Sequence, residues 1–143
     1  MLVSQILNAK DSGVITITPE ATLRDVVELL SSRRIGAVVV SSDGRKVKGI
    51  VSERDVVREL GRAGPACLDA TVDKIMTRAI YGCAPSDTTS SVLETMTARR
   101  FRHMPVMEDN VMIGFISIGD VVAAVLSELR MERDALTGMI MGN

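Results

Sequence analysis

The sequence predicts an α/β fold of the α+β type, assembled from two β-α-β-β-α repeats packed with pseudo-twofold symmetry. Two observations predict it. The 143-residue chain matches itself when slid by about 66 positions. Within each copy, short β-branched runs alternate with apolar residues at helical spacing. At shift 66, Pro19 falls on Pro85, Thr22 on Thr88, Val26 on Val92, Arg33-Arg34 on Arg99-Arg100 and Val40 on Val106. Past the next turn the shift is 65, placing Gly49-Ile50-Val51-Ser52 on Gly114-Phe115-Ile116-Ser117 and Asp55 on Asp120. The opening Val3 to Leu7 recurs at shift 69 as Val72 to Met76. Slips of this kind, confined to turns, mark a duplicated fold whose loops have changed length.

In the first repeat, Ile15-Thr16-Ile17 reads as a short strand ended by Thr18-Pro19. Thr22, with Asp25 three residues on, is an N-cap signal for a helix carrying Leu23, Val26, Val27, Leu29 and Leu30. Gly36 is expected to stop that helix, and Ala37 to Val40 to form a buried strand. Asp43-Gly44 signals a hairpin. Val47 to Val51 reads as the return strand and Val56 to Leu60 as a closing helix, with Gly61 past its end. A short helical turn precedes the unit. A unit of roughly 60 residues buries too little surface to be stable alone, so each copy is expected to complete the other's core. The expected division is 1–63 for repeat one, 64–71 for a linker, 72–130 for repeat two and 131–143 for a helical extension that packs on the other repeat or on a second chain.

Composition narrows the function. Hydrophobic residues make up 46% and charged residues 24%, an ordinary globular balance. The net charge of −1 gives no basic surface for a phosphate backbone, and aromatics at 2% leave almost nothing to stack bases on, so nucleic acid is not an expected partner. One histidine and two cysteines without a CxxC make a closed zinc site improbable, and no disulfide framework is implied, which favours a reducing cytoplasm. No targeting segment and no apolar run of about 20 residues is present, so no membrane partner is expected. There is no GxGxxG, no P-loop and no nucleophile–base set, so no enzyme is expected. Gly61-Arg62-Ala63-Gly64 matches a KH-type GxxG but lacks basic and aromatic surroundings; it reads as a helix cap and turn before Pro65. Cys67 and Cys83 are expected as small buried groups, and the methionines, including Met104, Met107 and Met112, as adaptable core.

The segments Gly49-Ile50-Val51-Ser52-Glu53-Arg54-Asp55 and Gly114-Phe115-Ile116-Ser117-Ile118-Gly119-Asp120, with Arg100-Phe101-Arg102-His103-Met104-Pro105-Val106, resemble the signatures of CBS domains, the tandem modules named after cystathionine β-synthase. The resemblance covers roughly residues 1–130. It implies a regulatory pair of repeats with two clefts that bind AMP, ADP, ATP, S-adenosylmethionine or NAD(H), with no other cofactor required. It also implies a disc-shaped homodimer and an unidentified regulated protein. The alternative is a dimerisation or adaptor module whose clefts are degenerate.

The residues admit two readings. Ser52 with Asp55, and Ser117 with Asp120, suit a ribose diol at a strand-to-helix junction; they equally suit a helix cap, and both can hold together. By the resemblance, the cleft of Ser52 and Asp55 is expected to face Thr77, Ile80 and the Arg102-His103-Met104 backbone. The cleft of Ser117 and Asp120 is expected to face Lys10 and Ile35-Gly36-Ala37, with His103 in reach of a phosphate or ribose. Arg54, where the second repeat has Gly119, is the phosphate candidate against a plain surface arginine. Lys10 is a weaker phosphate candidate for the other cleft, and for it an exposed loop position is the stronger expectation. The apolar faces of Leu23–Leu30 and Val92–Met96, with the closing helices, exceed what one pair is expected to bury and point to the homodimer.

Overall fold

A computed structural model describes residues 1–10 and 13–141. The elements follow the duplicated order: α1 (Val3–Ala9), β1 (Thr16–Ile17), α2 (Leu23–Arg33), β2 (Ala37–Val40), β3 (Gly49–Ser52) and α3 (Glu53–Ala63), then 3-10 turns at Pro65–Asp69 and Val72–Lys74. The second copy continues with α4 (Thr89–Arg99), β4 (His103–Glu108), β5 (Val111–Ser117) and α5 (Ile118–Ile140). β1 runs parallel to β2, and β2 antiparallel to β3, with Ala37 opposite Ser52 and Val40 opposite Gly49. In the second copy β4 pairs with β5, and the counterpart of β1 shrinks to one parallel bridge between Cys83 and Val106.

The chain clusters into two compact units that differ from the sequence repeats. One holds the described residues of Met1–Ser12, Gly82–Met107 and Gly114–Asn143; the other holds Gly13–Tyr81 and Glu108–Ile113. The repeats exchange their lead-in segments. Val3 and Ser4 donate their N–H groups to the carbonyls of Asp87 and Pro85, and Thr89 donates to Met1. At the matching positions Val72 and Asp73 donate to Ala21 and Pro19, and Leu23 donates to Ala70. Each lead-in thus satisfies backbone groups beside the first helix of the other copy, which would otherwise be left unpaired.

Each unit has its own apolar core. Val3, Ile6, Val92, Met96, Met104, Val106, Ile116 and Val121 form one. Leu23, Val26, Leu30, Val38, Val40, Val51, Val56, Cys67, Val72 and Met76 form the other. The apolar faces of Leu23–Leu30 and Val92–Met96 are largely used within their own units: Leu23, Val26, Leu30, Val92 and Met96 are buried, while Val27, Leu29 and Leu93 are half-buried. Exposed apolar side chains lie instead on the closing helices, at Val57 and Leu60 of α3 and at Val122, Leu126, Leu129, Leu136 and Ile140 of α5.

Several boundaries differ from the sequence expectation. α2 is stopped by Arg34, not by Gly36: Arg34 adopts a left-handed conformation with φ 54°, and Arg100 does the same after α4 with φ 59°. α3 runs through Gly61, which is open to solvent and costs the helix only propensity, and ends at Gly64 with φ 72°. The expected linker is a 3-10 helix with Cys67 buried. The expected helical extension runs on from the closing helix without a break, as α5 to Ile140; Gly142 and Asn143 lie outside the described residues. The return strand starts at Gly49 rather than Val47, and β1 lacks Ile15. Asp43 does make the first hairpin turn. The Lys46 and Arg45 N–H groups bond its carboxylate and bring its pKa to about 2, and Gly44 takes a φ of 78°. The second turn uses Asp109 and Asn110, both at positive φ.

The signature glycines are close-approach positions. A Cβ on Gly49 would lie 2.5 Å from Met76 Sδ and 3.0 Å from Met76 Cβ, and one on Gly114 would lie 2.4 Å from Leu7 Cδ2. Met76 and Leu7 correspond under the 69-residue shift, so both copies seat a lead-in side chain on the bare strand glycine. Gly49→Ala is expected to cost about 1–3 kcal/mol of stability through overpacking, read as a lower midpoint in urea denaturation.

Candidate functional site

Each Ser-x-x-Asp stands where a return strand passes into a closing helix. Ser52 is the N-cap of α3 and Ser117 that of α5. Ser52 Oγ accepts from the Asp55 N–H at 3.4 Å, and Asp55 Oδ2 accepts from the Ser52 N–H at 2.8 Å. The second copy repeats the pair: Asp120 N–H to Ser117 Oγ at 3.1 Å, and Ser117 N–H to Asp120 Oδ2 at 2.9 Å. The capping reading therefore holds at both junctions. The cap fixes each aspartate at the mouth of a helix, where the macrodipole favours an anion.

The start of the preceding strand closes each junction from the side. The Glu53 N–H donates to the Gly36 carbonyl at 2.9 Å, and the Ile118 N–H donates to the Arg102 carbonyl at 2.7 Å. One helix-terminal donor is thus already used at each site. His103 opens β4 with its ring stacked on Phe115, centroids 5.6 Å apart and planes 13° apart. Ile35-Gly36-Ala37 accordingly sits beside Ser52, and Arg102-His103 beside Ser117. The expected groupings of Asp55 with Arg102–Met104, and of Asp120 with Ile35–Ala37, join residues of different units.

Within the units the two carboxylates have different company. Asp55 is 6% exposed; its Oδ1 accepts from Arg58 Nη2 and, at 3.5 Å, from Thr77 Oγ1. Thr77 is brought there by paired backbone bonds with Ile50, while Ile80 lies three residues on, half-buried. Arg54 is exposed on the first turn of α3 and makes no ion pair among the described residues. Arg58 was not singled out from the sequence; its signal is the Asp55–Arg58 spacing of three on a helix.

Lys10 is not the exposed loop lysine expected. Its Nζ donates to the Phe115 carbonyl at 3.0 Å and to Asp120 Oδ2 at 2.8 Å, and its side chain is 33% exposed. Burial pushes the Asp120 carboxyl up, but the Lys10 ammonium and the Ser117 N–H outweigh it and hold the pKa below the ordinary value. A depressed carboxylate pKa stabilises the fold above the unfolded value of about 3.9, and that contribution disappears as pH falls through the lower folded value. Lys10→Met is expected to cost about 1 kcal/mol at pH 7, a figure discounted for solvent screening. Because the pair needs an ionised Asp120, the difference from the parent chain should close as the acid limb of a pH–stability series is descended.

The CBS domain pattern matches residues 3–62 and 72–127. A mitochondrial CBS domain-containing protein of Arabidopsis thaliana is 33% identical over 98% of this chain and 72% of its own length. The crystal structure of a CBS-domain-containing protein of Agrobacterium tumefaciens, 39% identical, superposes with a TM-score of 0.83 over 87% of this chain and 98% of that one. A CBS domain pair solved with 5′-methylthioadenosine and S-adenosyl-L-methionine shares the fold at 19% identity, with a TM-score of 0.77 over 90% of this chain and 98% of that one. No described helix is long and apolar enough to cross a membrane. With both copies of the pattern matched and the fold shared over most of its length, this chain belongs to the CBS-domain family, as a pair of CBS repeats.

Proposed function

We propose that this chain is a non-catalytic regulatory module that senses adenosyl nucleotides, AMP, ADP, ATP, S-adenosylmethionine or NAD(H), at its two Ser-x-x-Asp junctions. The observation that carries the reading is the pair of capped aspartates, each held at a helix N-terminus beside a strand start, where a ribose diol and a phosphate meet complementary groups. Ser52, Asp55 and Thr77 would take one sugar, and Ser117, Asp120 and Lys10 the other. Arg54 is the phosphate partner in the first site. Ile80, the Ile35-Gly36-Ala37 segment, Arg102-His103 and the backbone of Met104, whose side chain is spent in the core, would line the ligands. A relative of this fold solved with two adenosyl ligands supports the ligand class. The buried free thiols, Cys67 and Cys83, suit a reducing compartment such as the cytoplasm. The second reading, an adaptor that modulates a partner protein with empty sites, is favoured by one fact: Asp55 already has its acceptor positions filled by the protein's own donors.

A thermal-shift screen separates the two. A ligand at 100 times its Kd adds about 2.7 kcal/mol, which raises Tm by about 5–10 °C in a domain of this size. A rise with one or more of the five ligands is expected; no shift with any of them overturns the sensor reading in favour of the adaptor.

The second element of the proposal is a homodimer, resting chiefly on the apolar outer faces of α3 and α5. Light scattering at micromolar concentration is expected to give about twice the chain mass, whereas a clean monomer would overturn it.

A further inference from the structure

We infer that Arg58 is a built-in competitor for the Ser52/Asp55 site, holding the carboxylate oxygen that a ligand's hydroxyls would need, while the Ser117/Asp120 site has no such competitor on its own helix and fills first. The inference rests on the adenosyl reading above and adds an order of filling to it. A carboxylate offers about four acceptor positions. Asp55 uses them all: Oδ2 takes the Ser52 N–H and, at 3.1 Å, the Ser52 hydroxyl, and Oδ1 takes Arg58 and Thr77. Asp120 uses only Oδ2, for Ser117 and Lys10; its Oδ1 accepts no hydrogen bond among the described residues. The side chain of Asp120 is 27% exposed, that of Asp55 only 8%.

The difference lies in one position of the duplicated helix. Under the 65-residue shift the counterpart of Arg58 is Ala123, an exposed residue one turn into α5. Arg58 itself is a latch rather than a strut. Its side chain is 67% exposed, so the guanidinium can swing away into solvent while α3 and the Ser52 cap stay in place. A sugar hydroxyl that enters must displace the ion-paired guanidinium and gives Asp55 a neutral donor in place of a cationic one, which weakens binding there by about tenfold relative to an unlatched carboxylate.

Calorimetric titration with AMP tests this on the full chain. The parent protein is expected to show one tighter and one weaker event. Asp120→Ala should abolish the tighter one, and adding Arg58→Ala to that variant should strengthen the remaining event about tenfold, while Arg58→Lys should change it little. The reciprocal variant, Ala123→Arg in the otherwise unchanged chain, should weaken the tighter event by placing a guanidinium within reach of Asp120. Equal affinity at both sites, or an Arg58→Ala change that leaves AMP binding unaltered or weakens it, overturns the inference while leaving the sensor reading intact. If AMP binds neither the parent nor any variant, and the other four ligands fail likewise, the sensor reading falls and the inference falls with it.

Discussion

Everything in each unit hangs on a reciprocal pair of hydrogen bonds between a serine and the aspartate three residues later. The serine is at once the last residue of a strand and the cap of a helix, so one side chain joins the two kinds of structure. The aspartate returns the bond to the serine's own N–H, which fixes the angle at which the helix leaves the sheet. That angle lets Val56 and Val121 drop into the cores of their units. The same geometry draws a carboxylate inward, buried at Asp55 and half-buried at Asp120, and an anion withdrawn from water is stabilised by donors placed against it.

The two copies have met that requirement differently. In one, the donors are an arginine from the next turn of the same helix and a threonine hydroxyl from the segment after the second lead-in. In the other, a lysine from the segment before β1 crosses to Asp120 and also caps the Phe115 carbonyl of the strand. An arginine on the helix travels with the carboxylate it holds, whereas Lys10 comes from distant sequence and ties the first lead-in to the second copy's sheet and helix. One pairing therefore governs access to its aspartate, and the other also anchors a swapped segment.

The exchange of lead-ins recurs in both copies with the same contacts. Leu7 and Met76 occupy matching positions, and each lies over the strand glycine of the other copy, Gly114 and Gly49. Divergence shows where the constraint is weak. Thr89 stands in the fully buried place that Leu23 fills in the first copy, and its hydroxyl has no hydrogen-bond partner among the described residues. An unsatisfied buried hydroxyl in place of an apolar core residue costs stability locally.

By itself the sequence determined the repeat, the order of strands and helices, the serine caps with their aspartates, and the Asp43-Gly44 turn. These are local matters: periodicity, cap chemistry and turn chemistry act between residues a few positions apart. It misplaced the end of α2 because Arg34 adopts the left-handed conformation that glycine usually supplies, and nothing in the identity of an arginine announces that. It set Lys10 beside Asp120 yet favoured an exposed loop lysine, and it overlooked Arg58, because a lysine in a loop and an arginine on a helix look solvated until the carboxylates they serve have coordinates. The swapped lead-ins were likewise hidden, since 69 residues separate the matching segments and only closure of the tertiary structure decides which copy each one completes. Which donors meet which aspartate was decided in space, because Coulombic and hydrogen-bond partners are chosen by distance and burial rather than by separation along the chain.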